Sequence, residues 1–319
     1  MVHQRSFPPY ALITPACNEA KLIEYTLRSV VKQTVLPVKW VIVNDGSTDT
    51  TASIVEGYAQ KHAWIELVNL PKRQGRNFAA KVHAFNAGRE RLKEVAYEVI
   101  GNLDADVTLD EDHFEFLMGK FTDDPTLGVA GTIFIEDGYS SGTDSFEGQN
   151  YVSGQCQIFR RECFEEIGGY TPSKNGGIDW IAVTTARMIG WKTRSFREKS
   201  FFHHRLLGTA DRGVLGSSYV YGRKDYYLGG HPLWEIFRSV YRVTKKPYVL
   251  SGVALFLGYF AAYLKHDKRP VSDELMKFHR KEQMRRLRKI LVSVCTFKRL
   301  DKFELMPVDQ PTRSVAPQK

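Results

Sequence analysis

The chain has 319 residues, 43% of them hydrophobic and 25% charged, with a formal net charge of +9. That supplies one large core, or one core with a smaller appendage, and the positive balance favours a polyanionic partner: nucleic acid, an anionic membrane or a phosphorylated substrate. The four cysteines, Cys17, Cys156, Cys163 and Cys295, lie far apart with no Cys-x-x-Cys pair; this argues against a zinc site or a disulfide framework and for a reducing compartment.

Met1 to Pro9 is polar and lacks the apolar stretch of a secretory signal, so a cytoplasmic enzyme is expected. Tyr10 to Thr14, Lys39 to Asn44, Ile65 to Asn69, Glu98 to Leu103 and Gly128 to Ile135 read as β-branched strands. Between them Lys21 to Gln33, Thr50 to Lys61 and Asn77 to Lys93 have helical spacing of apolar residues. Such alternation predicts an α/β fold, a sheet with parallel strands flanked by helices. Glu136 to Ser153, rich in Gly, Ser and Asp, reads as a long surface loop before a mixed region running to about Arg205.

Beyond Tyr241 the character changes. Arg242, Lys245 and Lys246 precede an uncharged run, Pro247 to Leu264, at the lower length limit for a bilayer span. Basic residues crowd both flanks, which favours a re-entrant or interfacial segment over a simple span. A densely basic helix comes next, from Ser272 to Val294, patterned to lie on anionic lipid or, alternatively, to pack by its apolar edge. The expected organisation is a catalytic domain over 1–240, with a nucleotide-binding half at about 10–135 and an acceptor half at about 136–240. A helical, membrane-associating extension over 241–305 and a disordered tail over 306–319 complete it.

In parallel α/β sheets, ligands bind beyond the carboxyl ends of the strands, so the polar residues just after each strand carry the first candidates. Pro15, Asn18 and Glu19 come after the first strand and Asp45-Gly46 ends the second. Acid and amide groups there can hydrogen-bond a base and a ribose, with Gly46 permitting close backbone approach. Ser47 to Asp49 reads better as a helix cap. The most informative element is Asn102-Leu103-Asp104-Ala105-Asp106 at the end of an apolar run. Two carboxylates separated by one small residue can converge on a hard divalent cation, which offsets charge on a departing diphosphate. Asp179, between Ile178 and Trp180 at a helix start, suits a partly desolvated general base, a role compatible with capping. After Phe201-Phe202, His203 can complete a metal's coordination, and Arg205 can grip a phosphate.

These ordered motifs resemble the family 2 glycosyltransferases over roughly Tyr10 to Arg205. The resemblance implies a GT-A fold, a Rossmann-like mixed sheet flanked by helices, and an inverting transfer of a sugar from a nucleotide diphosphate carrier to a hydroxyl. It implies that Pro15, Glu19 and Asp45 bind the nucleoside with Arg76 of Gln74-Gly75-Arg76-Asn77 nearby, that Asp104 approaches ribose and metal, and that Asp106 ligates Mg2+ or Mn2+. The catalytic base of the family usually stands in a Glu-Asp pair; here the pair is Ile178-Asp179, which keeps the base and loses its neighbour. Gly222 to Pro232 also resembles the stretch after the core in bacterial members that build surface polysaccharides, which implies a glycan or lipid-linked acceptor at the cytoplasmic face of the inner membrane. Two rivals remain open: a catalytically silent scaffold that binds a nucleotide sugar, favoured by the lost acid, and a basic nucleic-acid-binding protein. The second is disfavoured because the basicity sits beside an apolar run. A dinucleotide oxidoreductase and a P-loop phosphotransferase are unsupported, since the chain lacks their glycine signatures.

Overall fold

The computed structural model describes residues 6–72, 78–143, 148–173, 176–205, 214–244, 247–297 and 304–306. In chain order it contains β1 (Tyr10–Ala16), α1 (Ile23–Val31), β2 (Lys39–Asp45), α2 (Thr51–Ala59), β3 (Ile65–Leu70), α3 (Phe78–Glu90), β4 (Val99–Leu103), β5 (Val107–Leu109) and α4 (His113–Asp123). Then come β6 (Leu127–Glu136), β7 (Tyr139–Ser140), a 3-10 turn (Gly148–Asn150), β8 (Cys156–Arg160), α5 (Arg161–Glu166), α6 (Ile178–Met188) and β9 (Lys192–His203). The last helices are α7 (Val214–Tyr227), α8 (Pro232–Val243), α9 (Tyr248–Leu264) and α10 (Asp273–Cys295).

Among the described residues the strands join in the order β3-β2-β1-β4-β8-β6-β9-β5, with β7 paired to β6. β3, β2, β1 and β4 run parallel, as the alternation of strands and helices requires. β8 is antiparallel to both β4 and β6, and β9 returns parallel to β6, so the sheet is mixed.

Both faces are covered, which is why β1 and β2 read as nearly unbroken apolar runs rather than alternating ones. Leu12, Trp40 and Ile42 join Leu27 of α1 and Leu117 of α4 in one core. Ala11, Ile13, Val41 and Val43 point the other way, onto Phe85 of α3 and Val183 of α6. The indole Nε1 of fully buried Trp40 is matched within this interior, donating to Thr14 Oγ1 at 2.9 Å.

β9 is irregular. Thr132 faces Phe196 but Ile133 faces Ser200, so Arg197 to Lys199 loop out of the ladder. Lys199 uses the excursion to reach Asp112 at 2.6 Å. Past the bulge the register aligns Ile135 with Phe202 and Val107 with His203.

The chain divides into two compact units. Unit 1 takes residues 1–174, 178–205 and 302–319; unit 2 takes 175–177 and 206–301. The helices α7 and α8 therefore cluster with α9 and α10 rather than with the sheet. In the segment from Glu136 to Ser153, Asp137 to Tyr139 and Thr143 are exposed, as a surface loop requires, but its two ends are not. Glu136 closes β6 as a buried residue, and Asn150, Val152 and Ser153 are buried too, because the segment doubles back to start β8. The expected disordered tail falls on 307–319, outside the described residues; Met306 itself is fixed, its N–H donating to Asn150 Oδ1 at 2.6 Å and its carbonyl accepting from Asn150 Nδ2 at 3.0 Å.

Candidate active site

Parallel pairing brings the carboxyl ends of β1, β2 and β4 to one edge, since Ala16 lies beside Asn44 and Ile13 beside Asn102. The loops beyond them are tied together. Asn18, in a left-handed conformation (φ 56°), accepts from the Thr48 N–H through Oδ1 at 2.8 Å, and its own N–H donates to Ser47 Oγ at 2.9 Å. Asn18 thus ties the loop after β1 to the loop after β2. Asp49, one residue before the α2 N-cap Thr50, accepts from the N–H of Thr51 at 3.0 Å and of Ala20 at 3.1 Å, so it links the start of α2 to the loop after β1 rather than capping the helix. Gly46 is needed for close approach, but what approaches is backbone: a Cβ there would stand 2.5 Å from Lys72 Cα, and φ is +68°. Pro15 and Asp45 lie at the ends of β1 and β2. Arg76 falls outside the described residues.

Asp104-Ala105-Asp106 is the short link between β4 and β5, with buried Ala105 as its anchor. Asp104 Oδ1 accepts from Lys81 Nζ at 2.5 Å and from Asn102 Nδ2 at 3.1 Å. Burial pushes its carboxyl above the ordinary value; the Lys81 charge offsets only part of this, and the neighbouring Asp106 charge adds to it. Asp106 goes the other way. Burial raises it too, but His203 and the Arg205 guanidinium outweigh that and hold it below the usual carboxylate range.

His203 reaches Asp106 through strand register. It pairs with Val107 on β5 and lies one residue past the Phe202 to Ile135 match on β6, so the ring sits between Asp106 and Glu136. Nδ1 is 2.8 Å from Glu136 Oε1, and Nε2 is 3.4 Å from Asp106 Oδ1. Burial lowers its proton affinity, but the two acids prevail and raise it. Arg205, just beyond β9, binds Glu19 Oε2 through Nη2 and sits 3.5 Å from Asp106 Oδ2 through Nε.

These side chains are of the donor types that ligate divalent cations. Carboxylate, imidazole and carboxylate stand in the order Glu136, His203, Asp106. A buried acid that fixes one ring nitrogen and leaves the other aimed at a carboxylate is the outer support metal-binding histidines use. Among the described residues no three His, Cys, Asp or Glu side chains are gathered at ligand spacing; Lys81 and Arg205 instead supply the positive charge next to the two aspartates.

Asp179 opens α6 and accepts a hydrogen bond from the Tyr151 hydroxyl through Oδ2. It adjoins the aspartate pair across one residue. Asn102 Nδ2, which binds Asp104, also donates to the Gly154 carbonyl at 2.5 Å, and the Asp104 N–H donates to the Gln155 carbonyl at 2.8 Å. On its other side Gly154 lies against Asp179, so close that a Cβ would come within 2.9 Å of the Asp179 Cβ. The buried Tyr170 hydroxyl feels both acids: burial pushes it up first, and the Asp179 and Asp104 charges push it further. Ile178, where the family's usual second acid would stand, is a buried member of the apolar core.

Three site residues escape sequence reasoning: Lys81, Glu136 and Tyr151. Glu136 alone has a local signal, an acid closing an apolar strand run as Asp104 does.

Residues 11–151 match the family model described as Glycosyl transferase family 2. Over that stretch, less than half of the chain, the sequence is similar to the family 2 glycosyltransferases. The poly-beta-1,6-N-acetyl-D-glucosamine synthase of Staphylococcus epidermidis is 26% identical over 212 residues, covering 60% of this chain and 47% of that protein. The synthase of the same name from Staphylococcus aureus is 33% identical over 115 residues, covering 36% and 26%. The chain thus spans about half the length, or less, of these relatives. Among solved structures, a mannosyltransferase from Pyrobaculum calidifontis in complex with GDP-Man and Mn2+ superposes with a TM-score of 0.53 at 20% identity, covering 92% of this chain and 81% of that one. Staphylococcus aureus TarS 1-349 in complex with UDP-GlcNAc does so with a TM-score of 0.52 at 15% identity, covering 91% and 92%. These likenesses show the fold, a GT-A fold.

Proposed function

We propose that this glycosyltransferase moves a sugar from a nucleoside diphosphate carrier to a hydroxyl of a glycan or lipid-linked acceptor, with inversion at the anomeric carbon, in bacterial surface polysaccharide synthesis at the cytoplasmic face of the membrane. One observation carries the reading: the Asn102 amide that binds Asp104 of the Asp-x-Asp link also donates to the Gly154 carbonyl, and Gly154 lies against Asp179. An inverting displacement needs a leaving-group site and a base close enough to serve one anomeric carbon from opposite sides.

Asp179 is the base that takes the acceptor hydroxyl proton, oriented by Tyr151. Pro15, Asn18, Glu19, Asp45 and Arg76 line the nucleoside side, and Asp104 meets the ribose. Asp104, Asp106 and His203 hold Mg2+ or Mn2+, which when bound offsets charge on the departing diphosphate. Arg205 and Lys81, now on carboxylates, are placed to turn to phosphate oxygens once a cation takes over those acids.

The test is single-turnover transfer from labelled nucleotide sugars in wild type and Asp179→Asn. Loss of a general base should slow turnover by about 10²–10⁴-fold while donor affinity is kept. Undiminished turnover would remove Asp179 from the chemistry.

A further inference from the structure

We propose that α8 and α9 present a built surface for an anionic bilayer, holding unit 2 in the headgroup layer without crossing it. This deepens, and rests on, the proposed membrane-face location.

Charge is the first observation. Residues 206–301 hold 19 Lys and Arg against 8 Asp and Glu, so the chain's net charge of +9 resides wholly in unit 2 and the rest is slightly acidic. Lys265, Lys268, Lys277 and Arg288 stand exposed.

Apolar exposure is the second. On α8, Leu233, Ile236 and Val240 recur at i, i+3 and i+7 and face outward, Val240 at 64% exposure. On α9, Val249, Val253, Phe256 and Leu257 do the same at helical spacing. No charged side chain interrupts α9 from Tyr248 to Leu264. A helix facing water would carry polar residues on that stripe.

The inward face of α9 is already taken, by small residues that let backbones touch. A Cβ on Gly252 would fall 2.5 Å from the Ser239 carbonyl oxygen of α8, and one on Gly258 would fall 2.0 Å from that of Tyr219 on α7. A Cβ on Gly222 of α7 would fall 2.0 Å from the Leu255 carbonyl oxygen. The large outward side chains therefore cannot turn in. Because Val253 comes directly after Gly252 and Val240 directly after Ser239, the two exposed stripes flank one seam.

Among the described residues no helix is long and apolar enough to cross a membrane, so the surface lies on lipid rather than through it. A second copy of the chain would also cover apolar stripes, but it would bring two strongly basic units together. Anionic headgroups meet the same apolar face with attraction instead.

The experiment is vesicle flotation of the full chain, wild type and an Ile236→Glu/Val253→Glu double variant. One set of vesicles is pure phosphatidylcholine; the other contains about one-third phosphatidylglycerol, enough to set a negative surface potential. The wild type should float with the anionic vesicles and about 10-fold less with the neutral ones, and the variant should bind the anionic vesicles about 10-fold more weakly, at an unchanged melting temperature. Equal flotation of wild type and variant overturns the proposal, as does indifference to lipid charge. So does a wild-type dimer that the variant converts to a monomer, since the stripes would then serve self-association. Nucleotide-sugar binding is measured on the same samples: donor binding without flotation sinks only the surface, whereas flotation without donor binding sinks the catalytic reading.

Discussion

At the scale of single residues, the candidate site rests on acids drawn into close pairs with cations and an imidazole. Asp104 and Asp106 are neighbours whose proton affinities are driven apart, one by burial and a like charge, the other by His203 and Arg205. Gly154 is the spacer between this pair and Asp179, and the structure leaves no room for a methyl group there. Gly154→Ala should therefore displace Asp179 and lower kcat by about 10-fold or more, with donor affinity retained; a kcat equal to wild type would show that the two sites are not coupled. Removing the Tyr151 hydroxyl, in Tyr151→Phe, frees Asp179 Oδ2 from the hydrogen bond that orients it, and kcat should fall by about 10-fold while the donor dissociation constant stays fixed; an unchanged kcat would show that Tyr151 does not orient the acid.

A second residue governs stability against pH. His113 has no exposed surface, and burial pushes its pKa from 6.5 down to about 4. Below the ordinary value the unfolded chain takes up a proton that the folded chain refuses. The stabilising effect is thus complete above pH 6.5 and is lost as pH falls toward about 4, to the extent of about 3 kcal/mol. Melting temperatures measured between those pH values should fall steeply for wild type and more gently for His113→Phe. Parallel slopes would mean that His113 titrates normally.

At the scale of elements, β1 to β4 and β6 are legible in the sequence to within a residue or two, because strands buried on both faces spell themselves out as β-branched runs. The polar residues after β1, β2 and β4 are legible for the related reason that parallel pairing forces those strand ends together. β8 is not legible. Its insertion between β4 and β6 is an antiparallel pairing over long sequence separation, which no local period encodes. Glu136 is hidden for the same reason, since it matters only once the bulge at Arg197 to Lys199 has shifted β9 so that His203 arrives beside it. Lys81 and Tyr151 become meaningful only through Asp104 and Asp179. Gly46, by its place at a strand end, promises room for a ligand and instead makes room for the chain after β3. Gly46→Val should cost about 2 kcal/mol or more in denaturant unfolding, through the left-handed φ and the contact with Lys72. A change within a few tenths of a kcal/mol would show that this crossing relaxes freely.

At the scale of the whole molecule, two units divide the labour: the sheet unit carries the candidate chemistry, and the helical unit carries the charge. The boundary at residues 205–206 falls directly after Arg205, the last residue of the site, so β9 ends by delivering His203 and Arg205. That division is only half legible, since composition marks the basic, apolar region beyond Tyr241 but not the membership of α7 and α8. The central claim concerns the sheet unit, namely that Asp104 and Asp106 gather a divalent cation together with a nucleoside diphosphate. Isothermal titration of nucleoside diphosphates into wild type and Asp106→Asn, each with Mn2+ and with chelator, tests it directly. The account predicts that one nucleoside diphosphate binds at least about 10-fold more tightly with Mn2+ than without, and that Asp106→Asn abolishes this gain. Affinity indifferent to the metal, or a gain undiminished in Asp106→Asn, would contradict it.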